Sequence, residues 1–140
     1  MKWYKETLLV ATRGKGLYPF TDAVQARLQS WGVQEGLLTL FIQHTSASLV
    51  ISENYDPSTQ ADLEAFMDHL VPENQPWHRH TLEGPDDSPS HMRAMLTPVS
   101  LSVPVDGGRL SLGTWQGLYV FEHRAEPQRR KVLLRYLEVD

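Results

Sequence analysis

Histidines and carboxylates are the residues of this sequence best suited to chemistry. His78 and His80 lie two residues apart, so an extended chain places both rings on one side, which is a common arrangement of metal ligands. His91 follows eleven residues after His80, and His44 lies 36 residues before His80. Three histidines brought together from such segments can bind zinc and leave a fourth position open to water or substrate. The spacing is irregular, so the alternative stays open that the loop histidines are polar surface residues.

Carboxylates flank the same histidines and provide candidates for a general acid or base. Glu53 directly follows the apolar segment that ends at Ser52, where an ionised side chain is costly to bury unless it has a role. Asp56 precedes a proline and is explained as a helix cap. Asp86 and Asp87 belong to the turn-like segment GPDD. Of these carboxylates, Glu53 is the one whose sequence position most favours a chemical role.

The segment LGTWQG, residues 112–117, is distinctive but matches no general catalytic motif. Gly113 allows the backbone to turn or to approach a ligand, and Thr114 and Gln116 can donate hydrogen bonds. Trp115 is explained equally well as a core residue. The sequence has no GxSxG nucleophile elbow, no GxxxxGK[ST] phosphate loop, no GxGxxG and no HExxH.

Bulk composition limits the classes of protein to consider. A chain of 140 residues with 41% hydrophobic content predicts one domain, residues 1–140, with enough length to bury a core. The absence of cysteine excludes disulfides, thiolate metal sites and a cysteine nucleophile. A net charge of −4 argues against non-specific nucleic-acid binding. The N-terminal apolar run, Leu8–Ala11, is too short for a signal peptide or a membrane span, so we expect a cytoplasmic protein without a membrane partner.

The pattern of the sequence predicts a fold rich in strands. Alternating or continuous apolar segments predict strands at residues 3–12, 37–43, 47–52, 101–105, 110–112, 117–122 and 132–139. The segment GKGLYP is expected to break the chain after the first strand. We therefore expect an α+β fold, a compact, mostly antiparallel, β-rich and sandwich-like domain with two or three short helices.

Two of those helices have clear start and stop signals. Thr21 can cap a first helix, and Gly32 ends it. Asp56 and the following proline start a second helix, which Pro72 stops. Its apolar residues follow the spacing of a buried stripe, and all four are expected to pack on the sheet: Leu63, Phe66, Met67 and Leu70. A short third helix is predicted at residues 91–96, after a long loop at residues 72–90 that is rich in Pro, Gly, Asp and His.

Several segments of the chain resemble one known family. They are HTSASLVISENYDP, RHTLEGPDDSPSHMRAML, SLSVPV, GRLSLGTWQGLYVFEHR and RRKVLLRYLEV. In content and order they resemble the YjbQ family of small proteins, and the resemblance covers nearly the whole chain. Ser88 and Ser90 depart from the family pattern, which usually has Met and Ala there. The resemblance implies a compact antiparallel α+β domain that assembles as a trimer, with a secondary thiamine-phosphate synthase activity.

The resemblance also implies a site. The characteristic histidines of the family fall on His44, His80 and His91 of this chain. We expect these three residues to bind a divalent metal, namely zinc, or magnesium if the substrate is a diphosphate. The expected catalytic residues are Glu53, as a base or to orient water, and Asp87, which would support a ligand. The expected substrate contacts are the short polar side chains Thr45, Ser46, Thr114 and Gln116.

The activity implied by the resemblance is a metal-assisted transfer that joins a pyrimidine diphosphate to a thiazole phosphate and releases pyrophosphate. Arg79, Arg93 and Arg124 are the candidates to orient the phosphates. Two alternatives stay open: a metal-dependent hydrolase of another small metabolite, and a trimeric metabolite-binding protein without catalysis. The expected partners are a phosphorylated small molecule and two further copies of the chain. The strand at residues 132–139 is apolar on both faces, which is consistent with an oligomer.

Overall fold

A computed structural model describes residues 1–139 of the chain, which contain eight strands and three helices. The strands are β1 (Lys2–Thr12), β2 (Gly16–Pro19), β3 (Gly36–Ile42), β4 (Ala47–Glu53), β5 (Ser100–Asp106), β6 (Arg109–Leu110), β7 (Gln116–Glu122) and β8 (Gln128–Glu138). The helices are α1 (Thr21–Trp31), α2 (Pro57–Leu70) and α3 (Asp87–Leu96). The strand β2 lies where the sequence predicted only a break. The last residue of the predicted domain, Asp140, is outside the described residues.

The strands form two antiparallel sheets that pack face to face. The first has the order β1-β8-β3-β5-β6, and the second has the order β2-β7-β4. Inward-pointing side chains of the first sheet, such as Leu40 and Leu134, share one core with Leu49 and Val120 of the second. This arrangement confirms the predicted α+β fold with a mostly antiparallel sandwich.

The helix α1 packs against the core between the two sheets. Val24 and Leu28 are fully buried in that core. Gly32 ends the helix in the left-handed conformation, with φ of 68°, and its backbone N–H donates to the carbonyl of Leu28. Thr21 is the first helical residue rather than the cap, and its hydroxyl oxygen accepts a hydrogen bond from the backbone of Leu118.

The helices α2 and α3 cover the other face of the second sheet. Met67 on α2 is buried against Tyr119 and Phe121 of β7, with Leu63 half-buried beside it. The predicted burial of all four apolar residues of α2 is wrong, because Phe66 is 60% exposed and Leu70 is 52% exposed. The helix meets the sheet along the edge of its apolar stripe that contains Leu63 and Met67, so the other edge faces away.

The outer face of the first sheet is open to solvent in the single chain. Cross-strand neighbours on this face form an apolar row of Trp3, Leu137 and Leu37. Phe41 lies further along β3, opposite Leu133. Trp3, Leu37 and Phe41 are exposed, whereas the alternate residues of β3 are in the core. The outer face of the sheet therefore has exposed apolar side chains on either side of the polar row Lys5, Arg135 and Thr39, and no covering layer among residues 1–139.

None of the helices among residues 1–139 is both long enough and apolar enough to cross a membrane.

Candidate metal centre

The helix α3 brings Asp87 and His91 together on one face. It begins at Asp87, four residues before the predicted start, so these two residues are spaced i, i+4 on the same helix. The Asp87 side chain is 1% exposed, and its Oδ2 atom lies 3.4 Å from the Nε2 atom of His91. A carboxylate and an imidazole are thereby held as neighbours by regular backbone geometry.

His80 reaches the same pair from the segment between α2 and α3. Its Nε2 atom lies 2.7 Å from Oδ2 of Asp87, and its ring centroid is 5.4 Å from that of His91. The donor atoms of these three residues all lie within 4.8 Å of one another. The contact between His80 and Asp87 is at hydrogen-bonding distance and helps to lower the pKa of Asp87, but its alignment is poor, so Oδ2 is a buried oxygen without a well-formed hydrogen bond among the described residues. Three lone-pair donors that converge in this way suit a cation.

The tautomer of His91 follows from its second ring nitrogen. Nδ1 of His91 lies 2.8 Å from the backbone carbonyl oxygen of Thr45, which can only accept a hydrogen bond. Nδ1 therefore holds the proton, and Nε2 presents a lone pair toward Asp87. Metal-binding histidines commonly donate their other N–H in this way, which fixes the orientation of the ring.

Arg124 orients the carboxylate of Asp87. Its Nη1 atom donates to Oδ1 of Asp87 at 2.9 Å, and its Nε atom donates to Oδ2 of Asp86 at 2.9 Å. Burial works to raise the pKa of Asp87, but the positive charge that His91 carries when both ring nitrogens are protonated and the charge of Arg124 outweigh it, so this pKa lies below the ordinary value of 3.8. Asp87 is thus an ionised carboxylate with one oxygen bound to a guanidinium and the other turned toward the histidines.

The arginines assigned to phosphate binding have other partners. Arg124 is bound to the two aspartates, and Arg93 is buried, where it donates to Asp68 and to the backbone carbonyl of Val71. Arg79 is exposed and lines none of the cavities next to the histidines. The site therefore offers no arranged set of cations for a diphosphate.

His44 lies beside the three donors but is not one of them. It lines the same cavity as His80 and His91, together with Thr45. Its Nε2 atom accepts a hydrogen bond from the backbone of Lys131 at 2.8 Å, and its Nδ1 atom faces Nη1 of Arg130 at 3.3 Å. Burial and the charge of Arg130 lower the pKa of His44. A neutral ring whose Nε2 accepts this hydrogen bond carries its proton on Nδ1 and has no lone pair left, so Asp87 takes the place expected for His44 among the converging donors.

Glu53 is remote from the histidines. It ends β4, a strand of seven residues that is about 20 Å long, whereas Thr45 and His44 precede the other end. Its carboxylate accepts hydrogen bonds from the backbone N–H groups of Tyr55 and Asp56, both at 3.0 Å. This carboxylate stabilises the turn that leads into α2, so the geometry gives no support to the expected role of Glu53 as a base at the metal, which stays a prediction.

Two of the four expected substrate contacts lie at the remote end of the sheet, and a third, Ser46, lines a neighbouring cavity with His44 and Thr45. Gln116 pairs with Glu53 across the sheet, and its side-chain oxygen accepts from the backbone of Gly113, so Gln116 and the nearby Thr114 are at the end of the sheet remote from the histidines. Ser46 is buried, and its hydroxyl oxygen accepts from Arg130 at 2.9 Å. Trp115, next to Thr114, is 56% exposed and is not a core residue. Thr45 alone lines the cavity beside the donors.

Two cavities adjoin the donor set. The first has a volume of about 610 Å³ and mostly apolar walls, which include Ala94, Met95 and Val99. The second has a volume of about 430 Å³ and includes His78 and Ser88 in its walls. His80 is the residue that the two cavities share. A ligand of the three donors can therefore extend in an apolar or in a polar direction.

Sequence reasoning missed the structural role of Arg124 and the helical pairing of Asp87 with His91. The i, i+4 spacing of these two residues was a usable signal, but it was hidden because the helix was expected to begin only at His91. The partners of Arg124 are 37 and 38 residues away in the chain, so no local pattern indicates them.

Comparisons with known proteins agree with this fold. A family model described as UPF0047 protein YjbQ-like matches residues 5–139. The UPF0047 protein sll1880 of Synechocystis is 48% identical over 94% of this chain and 89% of its own length. The UPF0047 protein YjbQ of Salmonella typhimurium is 42% identical over 94% of this chain and 95% of its own length.

Solved structures give the same result. The conserved hypothetical protein TT1486 of Thermus thermophilus superposes with a TM-score of 0.85 at 36% identity, covering 94% of this chain and 99% of the other. A YbjQ-like protein of unknown function from Sulfolobus solfataricus superposes with a TM-score of 0.88 at 23% identity, covering 99% of both chains, and shows the shared fold.

Proposed function

The chain belongs to the UPF0047 YjbQ-like family, and on that premise we propose that it binds one divalent metal ion, zinc in the first place, through His80, Asp87 and His91. The observation that carries the proposal is the buried Oδ2 atom of Asp87. It is buried, has no well-formed hydrogen bond among the described residues, and faces the Nε2 atoms of both histidines within 3.4 Å. An ion among these atoms would satisfy all three.

The predicted thiamine-phosphate synthase-type transfer is wrong. The family is one of unknown function, and neither the relatives nor the solved structures carry evidence of that activity or of another specific catalytic role. The partners of the arginines give a physical reason against the transfer of a diphosphate. Joining a diphosphate to a phosphate requires cations arranged around the phosphates, whereas Arg93 and Arg124 are occupied by carboxylates and backbone carbonyls.

The chemistry of the donors favours zinc over magnesium. Two of the three donor atoms are imidazole nitrogens, which suit zinc, whereas magnesium prefers oxygen ligands in octahedral geometry. Three protein donors leave at least one coordination position for an exogenous ligand. The mostly apolar cavity and the polar cavity on either side of His80 provide space for that ligand.

Metal content per chain tests the proposal. Protein stripped with a chelator and reloaded with zinc is expected to hold one ion per chain in the wild type and much less in His80→Ala, Asp87→Asn and His91→Ala. His69→Ala, which removes a histidine of α2 outside the donor set, serves as the matched control and should retain the ion. Loss of zinc from the control as well as the variants, or its retention in all of them, would refute the donor set.

The variant His44→Ala distinguishes the ligand set implied by the family resemblance, which includes His44, from the proposed set of His80, Asp87 and His91. The family resemblance predicts that His44 is a ligand, but its ring nitrogens face the N–H groups of Lys131 and Arg130. We therefore expect His44→Ala to retain zinc at close to the wild-type level. A loss as large as that in His91→Ala would return His44 to the donor set.

A homotrimer is the second proposal, and the number three comes from the family resemblance. The exposed apolar face of the first sheet supports self-association, because Trp3, Leu37 and Phe41 lie on it without a covering layer. Light scattering should give three times the mass of the chain, and Phe41→Glu should shift the protein toward the monomer. A monomeric wild type at micromolar concentration would refute the proposal.

The cytoplasmic location expected from the sequence stays a prediction.

A further inference from the structure

The larger of the two cavities beside the donor set, here called the apolar cavity, has His80 and His91 in its wall. It has a volume of about 610 Å³, within the range of about 300–1,000 Å³ that is typical of small-molecule pockets. Its apolar wall is formed by Ala94 and Met95 of α3 and by Val99, which precedes β5. Met95 is 80% exposed and Val99 is 39% exposed, so apolar side chains are open to water beside the proposed metal position.

The histidines of this cavity have few hydrogen-bonding groups left for a ligand. The ring of His44 has no free lone pair, because Nε2 accepts from the backbone of Lys131 and Nδ1 carries the proton. Nδ1 of His91 is bonded to the carbonyl of Thr45. The Nε2 atoms of His80 and His91 belong to the converging donors. Polar attraction for a ligand is therefore concentrated at the proposed ion, and much of the remaining wall is apolar.

The charges around the donor set are balanced once a divalent ion is bound. Asp86 and Asp87 are paired with Arg124, and the exposed carboxylate of Glu83 acts on both Asp87 and Arg124. Three negative charges therefore meet one positive charge, and the ion would supply the other two. The charge of Lys131, which acts on a histidine of the cavity, belongs to an exposed side chain and is screened by water.

No lysine, arginine, aspartate or glutamate lines the apolar cavity among residues 1–139. A ligand with a charged body would thus lose contact with water there without gaining a partner of opposite charge.

We propose that the exogenous ligand of the metal is a small molecule that binds the ion through one donor atom and carries a short, uncharged, apolar body, and that this body packs on Ala94, Met95 and Val99. The inference rests on the proposed metal site. The polar cavity on the other side of His80 is the weaker candidate for the body, because a ligand there exchanges hydrogen bonds with water for hydrogen bonds with the protein, at a small net gain. Burial of exposed apolar side chains is favourable in itself.

Imidazoles alkylated at N1 test the proposal, because in their unprotonated form they are neutral and present one nitrogen to zinc. Zinc content per chain is measured first, and the zinc-loaded protein is then titrated in a calorimeter at alkaline pH with 1-methyl-, 1-ethyl-, 1-propyl- and 1-butylimidazole. Each added methylene group should tighten binding by about twofold to fourfold, as expected for partial to full burial of its surface. Two probes of similar length with a charged end, 1-(3-aminopropyl)imidazole and 3-(imidazol-1-yl)propanoate, should bind more weakly than 1-butylimidazole.

Two variants of α3 locate the ligand body. Met95→Gln keeps the length of the side chain and its helix propensity but makes the wall polar. It should retain zinc and lower the affinity ratio of 1-butylimidazole to 1-methylimidazole by about fourfold, the effect of about one methylene group. Leu96→Gln is the matched control, because Leu96 is the next residue, is 56% exposed and lines neither cavity. It should leave both the zinc content and the affinity ratio unchanged.

The outcomes separate the two proposals. A wild type without zinc refutes the metal site and this inference with it. Zinc binding with an affinity that does not rise along the series, or that rises equally in Met95→Gln, refutes the apolar cavity alone. Tighter binding of either charged probe than of 1-butylimidazole refutes the uncharged body. A smaller mass of Met95→Gln in light scattering, with an unchanged series, would assign this side chain to a contact between copies of the chain and refute its contact with a ligand.

Discussion

The Nδ1 atom of His91 lies 2.8 Å from the backbone carbonyl oxygen of Thr45, a residue 46 positions earlier in the chain. This contact joins the helix α3 to the turn between β3 and β4. It also determines which ring nitrogen of His91 has a free lone pair, because a carbonyl oxygen can only accept a hydrogen bond and so requires the N–H form of Nδ1. The position of one side chain at the site is therefore set by the main chain of another segment.

The tautomer of His91 is the first prediction. Long-range nitrogen–proton NMR of the metal-free protein should show that the neutral form of the ring carries its proton on Nδ1. Addition of zinc should shift the Nε2 resonance of His91 and leave the proton on Nδ1. His69 provides the internal comparison and should shift little. A proton on Nε2 in the neutral ring would contradict the donor geometry.

Arg124→Met is expected to weaken both the site and the fold. The guanidinium holds Asp86 and Asp87 with bonds of 2.9 Å, and only 1% of the Asp87 side chain is exposed. Loss of such a buried partner should lower the free energy of unfolding by about 3 kcal/mol. It should also weaken zinc binding by about 10-fold to 100-fold, since Asp87 loses its orientation. Urea denaturation and competitive zinc titration measure the two effects.

Arg79→Met is the matched control for Arg124→Met, because Arg79 is exposed and lines neither cavity. It should change neither the stability nor the zinc affinity. An equal loss of zinc affinity in both variants would mean that general charge, rather than the orientation of Asp87, supports the site.

Arg130→Met should be among the most destabilising single changes. Arg130 Nε donates to Oε1 of Glu122 at 2.8 Å, and Glu122 is fully buried. Burial works to raise the pKa of Glu122, but hydrogen bonds from Arg130 and Thr12 outweigh it and keep this pKa below its ordinary value. Without Arg130 the buried carboxylate is unpaired, which costs about 3–5 kcal/mol. Chemical denaturation measures the loss, and the double variant with Glu122→Leu should recover part of it. Failure to recover any would contradict this explanation.

The stability of the fold should fall as the pH drops below about 6.5. Burial and the charge of Arg93 lower the pKa of His123 to about 3, whereas the unfolded residue has the ordinary value of 6.5. Between these values the unfolded chain binds a proton that the folded chain does not, so stability increases with pH across this window. The expected loss from His123 between pH 7.5 and pH 5 is about 2 kcal/mol.

Urea denaturation of wild type and His123→Gln at both pH values measures this loss. The glutamine amide can replace the contact between Nε2 of His123 and the hydroxyl of Ser48, which is 2.9 Å long. The variant should show a clearly smaller pH dependence. A residual slope is expected from His44, whose pKa is also lowered by burial. Equal slopes in the two proteins would show that His123 is not responsible.

Much of the fold followed from local patterns in the sequence. Helix starts and ends at Asp56 and Gly32 were predictable because capping and the left-handed turn are local properties of the chain. The rotation of α2 was not predictable, since the spacing of Phe66 and Leu70 identifies an apolar stripe but not which edge of it meets the sheet. The packing of Met67 on Tyr119 and Phe121 of β7, which are distant in the chain, determines which edge of the stripe meets the sheet.

Part of the site could be predicted from the sequence, and the rest again depends on contacts between residues that are distant in the chain. His80 and His91 could be named from residue type and family resemblance, and the structure brings them together. Glu53 was placed at the site because a carboxylate beside an apolar segment was expected to need a catalytic role. The backbone N–H groups of the next turn meet that need instead. The hydrogen bonding of the His44 ring depends on where the strand β8 lies. No local pattern in the sequence indicates the position of β8 relative to His44.

The three donors differ in how the chain carries them. Asp87 and His91 share one helix and are held by Arg124 and Thr45, whereas the side chain of His80 is 58% exposed and comes from a segment without helix or strand. In the proposed metal site the two helical donors would form the fixed part of the coordination shell, and His80 would be the donor that can move away from the ion. A site of this construction can exchange its ion by moving one side chain, without unfolding any of the helices or sheets around it.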